Sequence, residues 1–449
     1  MVESYHFKVI KYGKRMKMSI GEYNLSERFG AHGLLHTPEG VRDIYNSECQ
    51  RKLTVQQNIH SVLELYQFKD IQTPTFEYFD IFNKERGTIA SKEMYKFFDK
   101  EGNTLVLRPD ITPSIARCAA KYFKEEEQQI RLCYVGNTFI NNSRYQGKLK
   151  ETTQVGAELI NDDSVDADAE LLALTIECLL KSGLTDFQLE VGHADFLTGI
   201  LEEATFNEEE TTELKNLIEQ KNLFGVEELL ESKELDPELA EVILKIPELF
   251  GGVENLEFAK QRVKNERSLQ AIERLETLSD ILRVYGLVNY ITFDLGMLSK
   301  YNYYTGIIFR AYTYGTGDVI ATGGRYDNLV VQFGKRAPAI GFAIVIDQLM
   351  LALDRQKIQI DVPKNNTMIL YVAKAREVAI KLGQQFRRDG MSIELLCKSE
   401  IYTVEDYIEY GKRNNNGGIL FVKSSEDIDV ITIATGESIS VSVNELIHK

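Results

Sequence analysis

Leu107–Arg117 reads LRPDITPSIAR. The preceding apolar run, TLVL, has the β-branched and aliphatic content of a strand, and Pro109 stops it because proline lacks the N–H a ladder needs. A helix is predicted to begin at Pro113 and run to Lys121, since proline is tolerated in a first turn. Between strand and helix stand Asp110 and Thr112, polar side chains at a junction the fold must bury. Working outward toward the N-terminus, Met94–Phe98 reads as a second strand with a turn at Asp99–Asn103. Before that, Val55, Ile59, Val62, Leu63 and Tyr66 recur at helical spacing within Ser47–Tyr66.

Toward the C-terminus, RLCYVGNTFI and ETTQVGAELI (131–140 and 151–160) read as two strands flanking a polar hairpin loop, NNSRYQGKLK. A helix over Ala167–Lys181 and the strand DFQLEVGH follow. Residues 195–285 change character: dense acid at helical spacing with few β-branched runs reads as a helical insertion, its acids more a solvated face than a binding site. Strand chemistry returns in NYITFDLG, YYTGIIFRAYTY and DVIATGGRYD, and AIGFAIVIDQLMLALDR passes from strand to helix. Gly323–Gly324 reads as a tight turn rather than a phosphate cradle, because no G-x-G-x-x-G leads a strand into a helix. After a linker at 361–366, the chain alternates strand, helix, strand, helix, strand, a βαβαβ unit.

The bulk numbers restrict function. A chain of 449 residues suggests two to four domains. Its net charge of −16 disfavours a polyanion-gripping role, which needs a basic face. Acids also slightly outnumber bases over 367–449. The five cysteines (Cys49, Cys118, Cys133, Cys178 and Cys397) lack CxxC spacing and are expected to be buried free thiols in a reducing cytoplasm. No Cys/His motif spacing suggests a metal, so none is expected. No apolar stretch approaches the length of a membrane span, and the N-terminus lacks the apolar core of a secretory signal. Residues 1–33 are expected to be a disordered lead-in, with Met16 or Met18 as alternative initiators.

Five strings, LRPDITPSIAR, QVGAE (154–158), YYTGIIF (303–309), GGRYDNL (323–329) and IGFAIVIDQL (340–349), stand in the order and spacing of histidyl-tRNA synthetases, which the chain resembles from about residue 37 to its end. TPEGVRDIY occupies the place of that family's first class II motif. The resemblance implies an α+β fold of the class II aminoacyl-tRNA synthetase type. Its parts would be a six-stranded antiparallel sheet with flanking helices (34–194 and 286–360), a helical insertion (195–285) and a C-terminal α/β domain like an anticodon-binding domain (367–449).

The departures from that pattern bear on function. Where the second motif has F-R-x-E, this chain has Phe139, Ile140, Asn141 and Asn142. The third-motif arginine position is Gln348, preceded by Asp347. The string R-G-L-D-Y-Y-T-G reads Ser299 to Gly306, so its arginine is Ser299 unless Lys300 substitutes. Amino-acid activation must neutralise charge on the α-phosphate of ATP, and removing one fixed donor costs on the order of 10²–10³ in rate. Losing three leaves no credible adenylation chemistry. The amino-acid half persists. By resemblance Asp110, Thr112 and Gln154 hold an α-amino group, while Glu158 and a tyrosine of the pair Tyr303–Tyr304 recognise an imidazole. The same side chains also fit an inherited, self-satisfied polar network.

LHTPEGVRDI, LRPDITPSIAR and GGRYDNL also resemble the regulatory subunits of ATP phosphoribosyltransferase, a synthetase-like paralogue family; Asp110, where synthetases carry Glu, is part of that likeness. It implies a non-catalytic cytoplasmic protein without cofactor, required for the first step of histidine biosynthesis and mediating feedback inhibition by histidine. The implied partner is a short-form catalytic subunit, joined to a homodimer of this chain in a hetero-oligomer without tRNA or membrane. An atypical histidyl-tRNA synthetase and a synthetase-like RNA-binding or sensor module are the alternatives.

Overall fold

The structure, a computed structural model, describes residues 35–82, 89–142, 148–231, 233, 235–298, 303–362, 366–443 and 445. The lead-in over 1–33, Ser299 and the hairpin tip at 143–147 lie outside them. Helix α1 (Asn46–Leu65) buries Val55, Ile59, Val62 and Leu63, the stripe its spacing predicts. It leads into β1 (Lys69–Asp70), and then β2 (Phe76–Tyr78), β3 (Lys96–Phe98) and β4 (Thr104–Leu107) form a small antiparallel sheet in the order β2-β4-β3. Pro109 ends β4, and α2 (Thr112–Tyr122) starts with proline in its first turn.

β5 (Ile130–Phe139) and β6 (Glu151–Ile160) pair antiparallel along their whole length. Alternation along them makes two faces. Cys133, Val155, Ala157 and Leu159 join the large core with α1 and α3 (Val165–Lys181). Tyr134 belongs to the core on the opposite side, beside Ile111 and Ile115. β7 (Gln188–His193) enters α4 (Ala194–Glu203), capped by His193. Helices α5 (Glu208–Glu219), α6 (Leu223–Glu231) and α7 (Pro237–Lys245) follow, then a two-residue strand β8 (Phe250–Gly251), α8 (Val253–Lys260) and α9 (Glu266–Val284). The acidic face is solvated, as expected: Glu208, Glu209, Glu213 and Glu227 are exposed, while Leu214, Ile218, Val226 and Leu230 are buried.

β9 (Ile291–Asp294), β10 (Ile307–Tyr312), β11 (Ala321–Arg325) and β12 (Ala339–Val345) complete a sheet of nine strands in the order β1-β5-β6-β12-β11-β10-β7-β9-β8. The expected six-stranded antiparallel sheet is its centre, β5 to β7; β1, β9 and β8 extend it. β9 lies parallel to β7, which requires a crossover. The helices α4–α9 are that crossover, so the insertion is strapped to the sheet at both ends. Helix α10 (Ile346–Arg355) continues directly from β12.

Gly323–Gly324 is not the tight turn expected. Both lie inside β11, where a Cβ on Gly323 would meet Phe309 Cζ at 2.2 Å and one on Gly324 would meet Tyr304 Cε1 at 2.7 Å. Glycine is needed there to let aromatic rings lie on the strand, a demand invisible in local sequence.

The last segment forms a five-stranded sheet, β14-β13-β15-β16-β17, from β13 (Asn366–Tyr371), β14 (Ser392–Cys397), β15 (Gly418–Val422), β16 (Asp427–Thr432) and β17 (Ser438–Ser442). β13 is parallel to both β14 and β15, with α11 (Arg376–Arg388) and α12 (Val404–Arg413) as crossovers. All five cysteines are free thiols, but only Cys133 and Cys178 are buried; Cys397 is exposed at the end of an edge strand. Among the described residues, no helix is long and apolar enough to cross a membrane.

Candidate functional site

The polar face of the central sheet brings the residues singled out in sequence together. Asp110, Thr112, Gln154, Glu158, Tyr303 and Tyr304 line one cavity, with Thr322, Tyr326 and Gly341. Asp110 and Thr112 reach it because Pro109 breaks β4 and the chain turns into α2 there. Glu158 reaches it from β6, opposite Gly341 of β12. A Cβ on Gly341 would stand 1.6 Å from Glu158 Oε2, so glycine makes room for the carboxylate. Thr112 donates its hydroxyl to Glu158 Oε1 (2.7 Å) and Tyr326 donates to Oε2 (2.5 Å). Asp110 accepts the Ile111 N–H (2.6 Å), the Thr112 N–H (3.3 Å) and the Tyr303 hydroxyl (3.2 Å).

Burial pushes the Glu158 carboxyl up to about 8, against the two hydroxyl donors, and the nearby Asp110 carboxyl adds to the rise. Asp110 is raised by the same desolvation, opposed by its backbone donors and Tyr303. Among the described residues no Lys or Arg lines this pocket, so the two carboxyls share it without a basic partner. Gln154 adds an acceptor: its buried Oε1 has no hydrogen-bond partner among the described residues, a state costing about 1–3 kcal/mol. The cavity itself is only about 20 Å³, the room of about one water. It shares Gln154, Tyr304 and Thr322 with a neighbouring cleft of about 670 Å³, into which a larger ligand would extend.

Residues 40–349 match the family model described as histidyl-tRNA synthetase. A protein of Acetivibrio thermocellus named ATP phosphoribosyltransferase regulatory subunit is 39% identical over 92% of this chain and 98% of its own. One of the same name from Ruminiclostridium cellulolyticum is 37% identical with the same coverage. The chain belongs to this histidyl-tRNA synthetase-like family of ATP phosphoribosyltransferase regulatory subunits. A solved structure from Bacillus halodurans, described as an ATP phosphoribosyltransferase regulatory subunit/histidyl-tRNA synthetase, superposes with a TM-score of 0.78 at 30% identity, covering 87% of this chain and 99% of that one. A histidyl-tRNA synthetase from Nostoc shares the fold with a TM-score of 0.76 at 20% identity, over 92% of this chain and 99% of that one.

Of the positions read from sequence as departures from the synthetase motifs, the described ones line the larger cleft. Ile140, Asn142 and Gln348 all line it; Ser299 lies outside the described residues. Asp347 presents its carboxylate there, fixed by Lys52 Nζ (2.8 Å) and the Thr153 N–H (2.7 Å). Among the described residues, the cations lining the cleft have partners: Arg42 pairs with Glu48 (2.5 Å), Lys148 with Asp318 (3.5 Å), and Arg310 donates to the Leu298 carbonyl.

Two relationships had no assignment from sequence. Tyr326, quoted in GGRYDNL, is the second donor to Glu158. Its neighbour Arg325 reaches the other way, pairing with the fully buried Asp168 of α3 (2.7 Å), which also pairs with Arg274 of α9 (2.5 Å). A tyrosine following an arginine gives no hint of its partner without the sheet register.

Proposed function

We propose that this chain is a non-catalytic regulatory subunit that joins a short-form ATP phosphoribosyltransferase, is required for that enzyme's step in histidine biosynthesis, and transmits feedback inhibition by histidine bound in the Asp110–Glu158 pocket. The observation carrying the reading is the contrast between two halves of one cleft. The amino-acid half keeps two carboxyls, Thr112, Tyr303, Tyr304 and an unpartnered Gln154 acceptor. The nucleotide half has Ile140, Asn142 and Gln348 on its wall and an anchored Asp347 carboxylate, and among the described residues its cations are bound to the protein's own acceptors.

In this reading Asp110 and Gln154 take the ligand's ammonium, and Glu158 accepts an imidazole N–H. Regulation requires histidine to favour one state of the assembly by about 1–3 kcal/mol. We assign 195–285 as the helical insertion and 367–449 as a separate C-terminal α/β unit, and take the chain to act as a homodimer in a cytoplasmic hetero-oligomer. The test is reconstitution with a short-form catalytic subunit. The two should co-purify, activity should rise on mixing, and histidine should inhibit the complex but not the complex carrying Glu158→Gln. Histidine-dependent ATP–pyrophosphate exchange by the purified chain would overturn the reading.

A further inference from the structure

On the helical side of the sheet edge, outside the quoted motifs, three different ligand types meet. His60 of α1, Asp70 of β1 and Cys133 of β5 each place one ligand atom within 4.8 Å of the other two. The strands do this by register: β1 and β5 are parallel, and Asp70 and Cys133 are direct partners. His60 comes from α1, whose buried stripe docks it beside β1. The sequence separations, 10 residues for His60–Asp70 and 63 for Asp70–Cys133, fit no metal-binding spacing, which is why no site was expected.

We propose that His60, Asp70 and Cys133 form a binding site for a thiophilic divalent cation, zinc being the natural occupant. The donor set is imidazole, carboxylate and thiolate, the mixture zinc takes in tetrahedral sites. Cys133 Sγ lies 3.7 Å from Asp70 Oδ1, against about 3.6 Å for adjacent sulfur and oxygen ligands on tetrahedral zinc. His60 Nε2 lies 2.7 Å from the same oxygen and must open to about 3.4 Å. Asp70 can supply that movement, because its side chain is 68% exposed while Cys133 is fully buried. That exposure also leaves a fourth position open to water.

The surroundings favour the same atom assignment. Glu64 Oε1 lies 3.7 Å from His60 Nδ1, on the ring edge away from the site. A carboxylate on that side, though beyond hydrogen-bond distance, favours hydrogen on Nδ1 and leaves Nε2 as the ligand atom. When the cation binds, the Cys133 S–H bond breaks, its proton leaves to bulk solvent and a sulfur–metal bond forms; no redox change is involved.

Cobalt(II) is the probe, added to the full chain after chelator treatment and then competed with zinc(II). The expected result is one equivalent bound, with a thiolate-to-cobalt charge-transfer band and the strong visible absorption of tetrahedral cobalt, both bleached by zinc. Cys133→Ala should abolish the charge-transfer band, and His60→Gln should weaken zinc binding by at least about tenfold, the scale of losing even an outer partner. His60 is a partly exposed helix residue, so His60→Gln remains informative should the buried Cys133→Ala chain fail to fold. Absence of the band in the wild-type protein, its persistence in a folded Cys133→Ala chain, or an unchanged zinc affinity in His60→Gln overturns the assignment.

Discussion

Tyr326 and Glu158 are joined by a 2.5 Å hydrogen bond across the buried face of the sheet, with the phenol donating to Oε2. The phenol group is buried with the carboxyl, beside a cavity with room for only about one water. Tyr326→Phe should therefore destabilise the free chain by about 1–3 kcal/mol, the cost of a stranded buried acceptor. Denaturant melts measure this, and histidine titrations of the reconstituted complex should show weakened inhibition. Unchanged values in both would mean the bond carries neither stability nor ligand recognition.

Glu158 also sets a pH dependence. Its folded pKa of about 8 lies above its ordinary value of 4.5. Between those values the folded chain holds a proton that the unfolded chain has lost, so stability is greatest at the acid end and falls as pH rises toward 8. Glu158→Gln should flatten that fall without adding charge. Melting temperatures at half-unit steps from pH 5 to 8.5, wild type against variant, provide the comparison.

His193 works in the opposite direction. Burial, and then Arg274, Arg325 and Arg267, hold its pKa down to about 3 against an ordinary 6.5. The unfolded chain takes up a proton that the folded chain refuses, so stability is lost as pH falls from 6.5 toward 3. The ring also caps α4 by accepting the Asp195 N–H at 3.2 Å. His193→Asn can retain a cap and should tolerate acid better. Acid unfolding followed by circular dichroism should show its midpoint shifted to lower pH.

Asp168 holds two guanidinium groups while itself inaccessible to solvent. Asp168→Ala leaves both cations without that partner, Arg325 among them nearly fully buried, and should cost about 3–5 kcal/mol. Arg274→Ala, which keeps the Arg325–Asp168 pair and removes a more exposed cation, should cost less. Thermal unfolding of the two variants side by side checks the order.

Much of this was legible from local sequence. The burial of Val55, Ile59, Val62 and Leu63 on α1 follows from period, and Pro109 marks the end of β4 by its chemistry. The six residues that the family resemblance singled out line one cavity. What escaped was non-local. Gly323 and Gly324 look like a turn until Phe309 and Tyr304 are placed over them. The parallel β7–β9 pairing depends on where a long crossover returns, which no window of residues encodes. Tyr326 finds Glu158, and Cys133 finds Asp70, only through strand register.

Arg325 and Tyr326 are consecutive residues whose side chains leave the backbone on opposite sides of the sheet. One is tied through Asp168 to α9, the other to the carboxyl at the bottom of the pocket. Their Cα atoms are held about 3.8 Å apart by a single peptide unit. One peptide unit thus separates the residue that closes the pocket from the residue that binds the helical layer, so neither face of the sheet can be rebuilt here without regard to the other.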